Sequence, residues 1–96
     1  METLFTWDPA KAERNKRAHG ISFEQAREVF ADPFVVSQKD IVDQNEQRWH
    51  AIGMSGNLLL LVVFVERLGD GVEIIRIISA RKANQYEESI YEEQFA

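Results

Sequence analysis

The sequence predicts a single α+β domain with an antiparallel sheet, and three observations carry that prediction. Four strand-like runs follow one another between residues 34 and 79, separated by short gaps. Two helices with capping residues at their starts precede them, and an amphipathic helix follows. Hairpin-linked strands with helices segregated to the sheet faces define this class. The expected order is β-α-α-β-β-β-β-α: two N-terminal helices, a four-stranded antiparallel sheet and a C-terminal helix. A chain of 96 residues supports one modest core, so residues 1–96 are expected to form one domain.

Each element has a local reason. LFTWD (4–8) reads as a short strand or extended lead-in. Asp8-Pro9 then starts a helix, because Asp accepts from free amides and Pro suits the first helical turn. That helix should run to about Ala18 and stop at Gly20, which tolerates a left-handed cap. Ser22 with Gln25 forms a capping box for the second helix. Its core stripe is Phe23, Ala26, Val29 and Phe30, and Asp32-Pro33 ends it. The strands are FVVSQ (34–38), QRWHAIGM (47–54), LLLLVVFV (58–65) and VEIIRIIS (72–79). The gaps SGN and RLGDG carry hairpin chemistry. The run at 58–65 lacks a polar face and is expected to be a central strand covered on both sides. The last helix, within RKANQYEESIYEEQFA, should turn Ala83, Tyr86, Ile90 and Phe95 inward.

Composition narrows the function. The absence of cysteine excludes disulfides and thiolate chemistry. Sixteen acidic against eleven basic residues give a net charge of −5, which opposes nucleic-acid binding by the surface as a whole. Charge is polarised, however. KAERNKRAHG (11–20) holds Lys11, Arg14, Lys16, Arg17 and His19 against one Glu, and the last twelve residues hold four Glu and no cation. No apolar run reaches the roughly 20 residues that span a bilayer, and the N-terminus has no apolar stretch of signal-peptide length. A cytoplasmic protein without membrane contact is expected. His19 and His50 lack the spacing of a metal motif, so no metal or cofactor is expected.

The stretch EIIRIISARKA (73–83) raises the sharpest question, because it sets Arg76, Arg81 and Lys82 into an apolar strand. Alternation puts Ile74, Arg76, Ile78 and Ala80 on one face, and Ile75, Ile77 and Ser79 on the other. A two- or four-residue loop before this strand brings Arg67 and Arg76 onto one face of neighbouring strands; a three-residue loop with a bulge breaks that parity. Two adjacent guanidiniums repel, so acids such as Glu66 or Glu73 neutralise them, or a phosphate does. Arg81 lies at odd spacing from Arg76 and joins it only if the strand ends near Ser79 and turns into the last helix. His50 shares a strand face with Arg48 and Ile52.

Three blocks, in order and spacing, carry a resemblance: WDPAKAERN with HGISFEQA, then RWHAIGMSGNLLLLVVFVER, then RIISARKA. Together they resemble the BrnT family, the toxins of bacterial type II toxin–antitoxin pairs, over nearly the whole chain. The resemblance implies a RelE-like, microbial-ribonuclease-like fold and an endoribonuclease that uses a basic constellation rather than a metal. It implies catalytic roles for Arg67, Arg76, Arg81 and His19, with Lys16, Arg17, Lys82 and His50 binding substrate. His19 and His50 both remain candidates for the general base. The implied partners are RNA and a BrnA-like antitoxin whose ribbon-helix-helix part binds operator DNA; a homodimer within the complex is also expected. Two departures stand out. The family commonly has Lys before His-Gly, where this chain has Ala18, and Glu-Arg where it has Glu87-Glu88. They motivate a second reading, a weakened toxin that serves mainly as an antitoxin-binding co-repressor.

Overall fold

Capping boxes and tight turns divide the chain into its elements. The computed structural model describes residues 1–96. In order these are β1 (Glu2–Thr6), α1 (Pro9–His19), α2 (Phe23–Glu28) with a 3-10 turn at Val29–Ala31, β2 (Val36–Asp43), β3 (Glu46–Ser55), β4 (Leu58–Gly69), β5 (Val72–Lys82) and α3 (Gln85–Glu93). The Asp8 side chain caps α1, and Gly20 closes it in the left-handed region at φ 71°. Ser22 and Asn84 form capping boxes for α2 and α3 with Gln25 and Glu87. The turns Gln44-Asn45 and Asp70-Gly71 hold positive φ at both residues, the backbone of tight two-residue hairpins.

The sheet order is β1-β5-β4-β3-β2, so β4 is central, as its apolar sequence predicts. The sheet has five strands and is mixed, not four-stranded and antiparallel. β1 joins the edge in parallel with β5, from Glu2↔Val72 to Thr6↔Arg76. A parallel partner needs a long crossover, here everything between Thr6 and Val72, and so left no local signal in the sequence. The strands also outrun their predicted limits: β2 reaches Asp43, β4 reaches Gly69 and β5 reaches Lys82.

Two apolar layers sandwich the sheet. One packs Ile21, Phe23, Ala26 and Val29 against Ala51, Leu60, Val62, Phe64, Ile75, Ile77 and Ala80. The second joins Ile52 and Leu61 to Tyr91 of α3. Phe23, Ala26 and Val29 are fully buried, as the helical spacing predicts. α3 is phased differently from expectation. Tyr91 is buried and Ile90 packs beside it, whereas Tyr86 and Phe95 are exposed. Asp32 sets that phase by accepting from the Tyr91 hydroxyl (2.7 Å), the Met54 amide (2.8 Å) and the Phe34 amide (2.9 Å). Gly53 lets this corner close, since a Cβ there would stand 2.9 Å from Val29 Cγ1.

α1 is exposed to solvent apart from Ala12 and Asn15. Asn15 is 7% exposed and donates to the carbonyls of Ile21 (3.0 Å) and Ala80 (2.8 Å). Its Oδ1 accepts from the Ala80 amide (3.1 Å). One side chain thus closes the β5 edge where β1 has ended. No helix is long and apolar enough to cross a membrane.

Candidate active site on the open half of the sheet

α3 covers only one end of its sheet face. Beyond it the face stays open, and the register decides what shows there. The two-residue turn at Asp70-Gly71 gives Arg67↔Ile74 and Val65↔Arg76, so Arg67 and Arg76 project together as parity predicts. They line a cleft of about 180 Å³ with Thr6, Val65 and Ile74. Their neutralising acid is not Glu66 or Glu73, which lie on the opposite face in the register. It is Glu46, which follows the Gln44-Asn45 turn. Glu46 Oε2 accepts from Arg76 Nη2 at 2.6 Å, and Oε1 accepts from Arg67 Nη2 at 3.2 Å. The hydrogen bond from Arg67, with the charges of both arginines, holds the Glu46 carboxyl below its ordinary range.

Arg81 reaches the same face by a route that alternation does not foresee. β5 does not end near Ser79. Phe64 pairs with Ile77 and Val63 with Ser79, leaving Ile78 as a bulge. The extra residue inverts the parity beyond it. Ala80 turns to the buried layer and Arg81 pairs with Leu61, on the face of Val65 and Arg76. There Arg81 donates to Glu87 of α3 through both ends of its fork, at 2.8 and 2.9 Å.

His50 stands opposite Val63 on this face, with Nε2 2.8 Å from Asp40 Oδ2. The β2 irregularity between Lys39 and Val42 presents that aspartate. Arg48 pairs with Asp43 at 3.1 Å, and its buried Nε has no acceptor. Sequence reasoning missed Glu46, Asp40 and Arg48 as members of the site. Asp-x-x-Asp-x-x-Glu before a strand carrying Arg and His is the available signal, and it reads equally well as a solvated hairpin.

The remaining predicted residues lie apart. Lys16, Arg17 and His19 are exposed on α1, which packs through Ala12 and Asn15 on the layer of Ala80 and not on the face of the three arginines. Lys82 lines a different cleft with Met54, Leu59, Glu88 and Tyr91. No three His, Cys, Asp or Glu side chains group as a metal-holding set. The largest cleft, about 580 Å³, lies on the opposite face beside Phe5, Phe30, Glu66 and Glu73. Burial, then the neighbouring Glu73, push the Glu66 carboxyl up. Two crowded carboxylates make that cleft a poor seat for phosphate.

The Arg81–Glu87 clamp has a consequence for stability. Burial pushes the Glu87 carboxyl up, but the Arg81 hydrogen bonds, the Asn84 amide and the charges of Arg81 and His50 outweigh it and hold it below its ordinary value of 4.5. Asp32 is likewise raised by burial and lowered further by Tyr91, Met54 and Phe34, to below 3.8. With folded values depressed, the unfolded chain binds protons first as the pH falls. The stabilisation is complete above pH 4.5 and fades as the pH drops through the folded values. Thermal melts across the acid range should therefore show Tm falling below about pH 4.5. Glu87→Gln should flatten that decline; an equally steep one would mean that Glu87 does not contribute.

A search of curated proteins finds no match for this chain. A family model described as the ribonuclease toxin BrnT of type II toxin–antitoxin systems matches residues 7–87, which run from α1 through β5 into the start of α3 and include Arg67, Arg76 and Arg81, and the chain therefore belongs to the BrnT family of ribonuclease toxins.

Proposed function

We propose that the open half of the sheet is where this toxin cleaves RNA, without a metal, by attack of the ribose 2′-hydroxyl on the adjacent phosphorus. One observation carries the reading: two guanidiniums converge on a single oxyanion, on the face that also presents Arg81 and an Asp-held imidazole. In the reaction a phosphate oxygen stands where the Glu46 carboxylate stands now. Arg67 and Arg76 meet the charge that grows on the phosphorane, a contribution of about 3–4 kcal/mol per well-placed donor. His50, oriented by Asp40, takes the 2′-hydroxyl proton. The 2′-oxygen bonds to phosphorus as the bond to the 5′-oxygen breaks, and that oxygen takes a proton from water. The products are a 2′,3′-cyclic phosphate and a 5′-hydroxyl.

His50 takes the role of base in preference to His19 because it shares the arginines' face. His19, Lys16 and Arg17 guide the flanking RNA strand from α1, and Lys82 does so from the far end of β5. A type II toxin is paired with a protein antitoxin. For this chain the partner is a BrnA-like protein whose ribbon-helix-helix part provides the only contact with operator DNA, in a complex that holds two toxin copies.

The test is cleavage of end-labelled RNA in excess EDTA. Fragments with cyclic phosphate ends are expected, and His50→Gln should slow turnover about 10²- to 10⁴-fold while removing the acid limb of the pH–rate profile. A folded protein that binds its antitoxin but leaves RNA intact would favour the co-repressor reading suggested by Ala18 and Glu88.

A further inference from the structure

The open face holds four guanidiniums, those of Arg48, Arg67, Arg76 and Arg81, and each already has a carboxylate of this chain. Two of the four, Arg48 with Asp43 and Arg81 with Glu87, have one acid per cation. At Glu46 two cations share one acid, so surplus positive charge collects there. The backbone makes this pairing separable from the fold. β3 and β4 ladder together only from Trp49↔Phe64 to Ser55↔Leu58. β2–β3 pairing continues to Asp43↔Glu46, and β4–β5 pairing continues to Gly69↔Val72. The two hairpin ends thus extend past their shared ladder, and the Glu46 carboxylate bridges the gap between them.

Resting on the function proposed above, we infer that Glu46 is a built-in competitor of the RNA phosphate, a resting-state clasp that the phosphodiester displaces when it binds Arg67 and Arg76. A carboxylate and a phosphodiester both offer two acceptor oxygens to a guanidinium fork. Glu46 satisfies both cations between substrates and suppresses their repulsion. The side chains of Arg67 and Arg76 are 72% and 45% exposed, so each ion pair is weak enough to exchange. Once released, Glu46 swings out with its hairpin end, and the cleft between the two ends widens toward the strand of RNA. The clasp acts on affinity: it raises KM.

The experiment is fluorescence anisotropy with a labelled all-deoxy oligonucleotide, which lacks the attacking hydroxyl, run on the parent, Glu46→Gln, Glu46→Ala and Arg76→Ala. Both Glu46 variants should bind about three- to tenfold more tightly. Unchanged or weaker binding in both would overturn the clasp. Unaltered binding with collapsed kcat would overturn it too, by making Glu46 a proton acceptor. Arg76→Ala separates the two levels. If it binds as well as the parent, the site itself is misassigned; if it binds worse while the Glu46 variants gain nothing, only the clasp fails. Thermal melts confirm that each variant is folded, and the alanine variant serves if the glutamine one is not.

Discussion

Arg76→Ala should lower kcat/KM for RNA cleavage about 10²- to 10³-fold while leaving the melting temperature nearly unchanged. The asymmetry follows from where the residue stands. Its neighbours Ile75 and Ile77 anchor β5 in the buried layer, so the backbone at Arg76 is fixed independently of its side chain. The guanidinium itself is half-exposed and its only partner is the hydrogen-bonded Glu46 carboxylate. Removing it costs an exposed ion pair, which contributes little to the fold. It also removes the donor closest to the oxyanion position, and that loss acts on the transition state. Arg76→Lys should recover only part of the rate, because an ammonium keeps the charge without the planar fork. Initial rates on end-labelled RNA beside circular-dichroism melts decide the matter. An Arg76→Ala protein that cleaves as fast as the parent would remove this face from consideration.

Asn15→Ala is expected to do the opposite, with little direct effect on chemistry and a large one on the fold. The side chain makes three hydrogen bonds in a buried setting, two of them to the same residue of β5. Truncation strands the Ala80 amide and carbonyl and the Ile21 carbonyl, and each unpaired buried group costs about 1–3 kcal/mol. Partial relaxation brings the sum to about 2–4 kcal/mol, a large share of what a domain of this size possesses. The corresponding drop in Tm is about 10–20 °C. A loss of under about 3 °C would mean that water replaces the amide at the β5 edge. The asparagine of WDPAKAERN is thus a fastener between α1 and the strand that carries Arg76 and Arg81.

Local chemistry was legible in the sequence, and long-range geometry was not. Asp8-Pro9, Ser22 with Gln25, and Gly20 gave the helix starts and stops because capping depends on residues within one turn. Asp70-Gly71 gave the hairpin, and the hairpin gave the shared face of Arg67 and Arg76. β1 reads only as a short strand or extended lead-in, because its partner lies about 70 residues away. The phase of α3 was misread because Tyr86, Ile90, Tyr91 and Phe95 offer two competing apolar stripes, and the choice between them rests on Asp32, far off in the chain. Periodicity alone does not place Arg81, for the same kind of reason. A bulge leaves every residue type in place and shifts only the count; the sole trace is that buried positions run 75, 77, 80.

That bulge has a meaning for the gene as well as for the protein. A copy with one codon fewer between Arg76 and Arg81 would hold both arginines on one side through a regular strand. This chain has four residues between them, and the bulge at Ile78 holds them there. Number of intervening residues and shared geometry are therefore uncoupled at this point. Two chains that differ by one residue in this strand can carry the same cluster of cations, one through a regular strand and the other through a bulge.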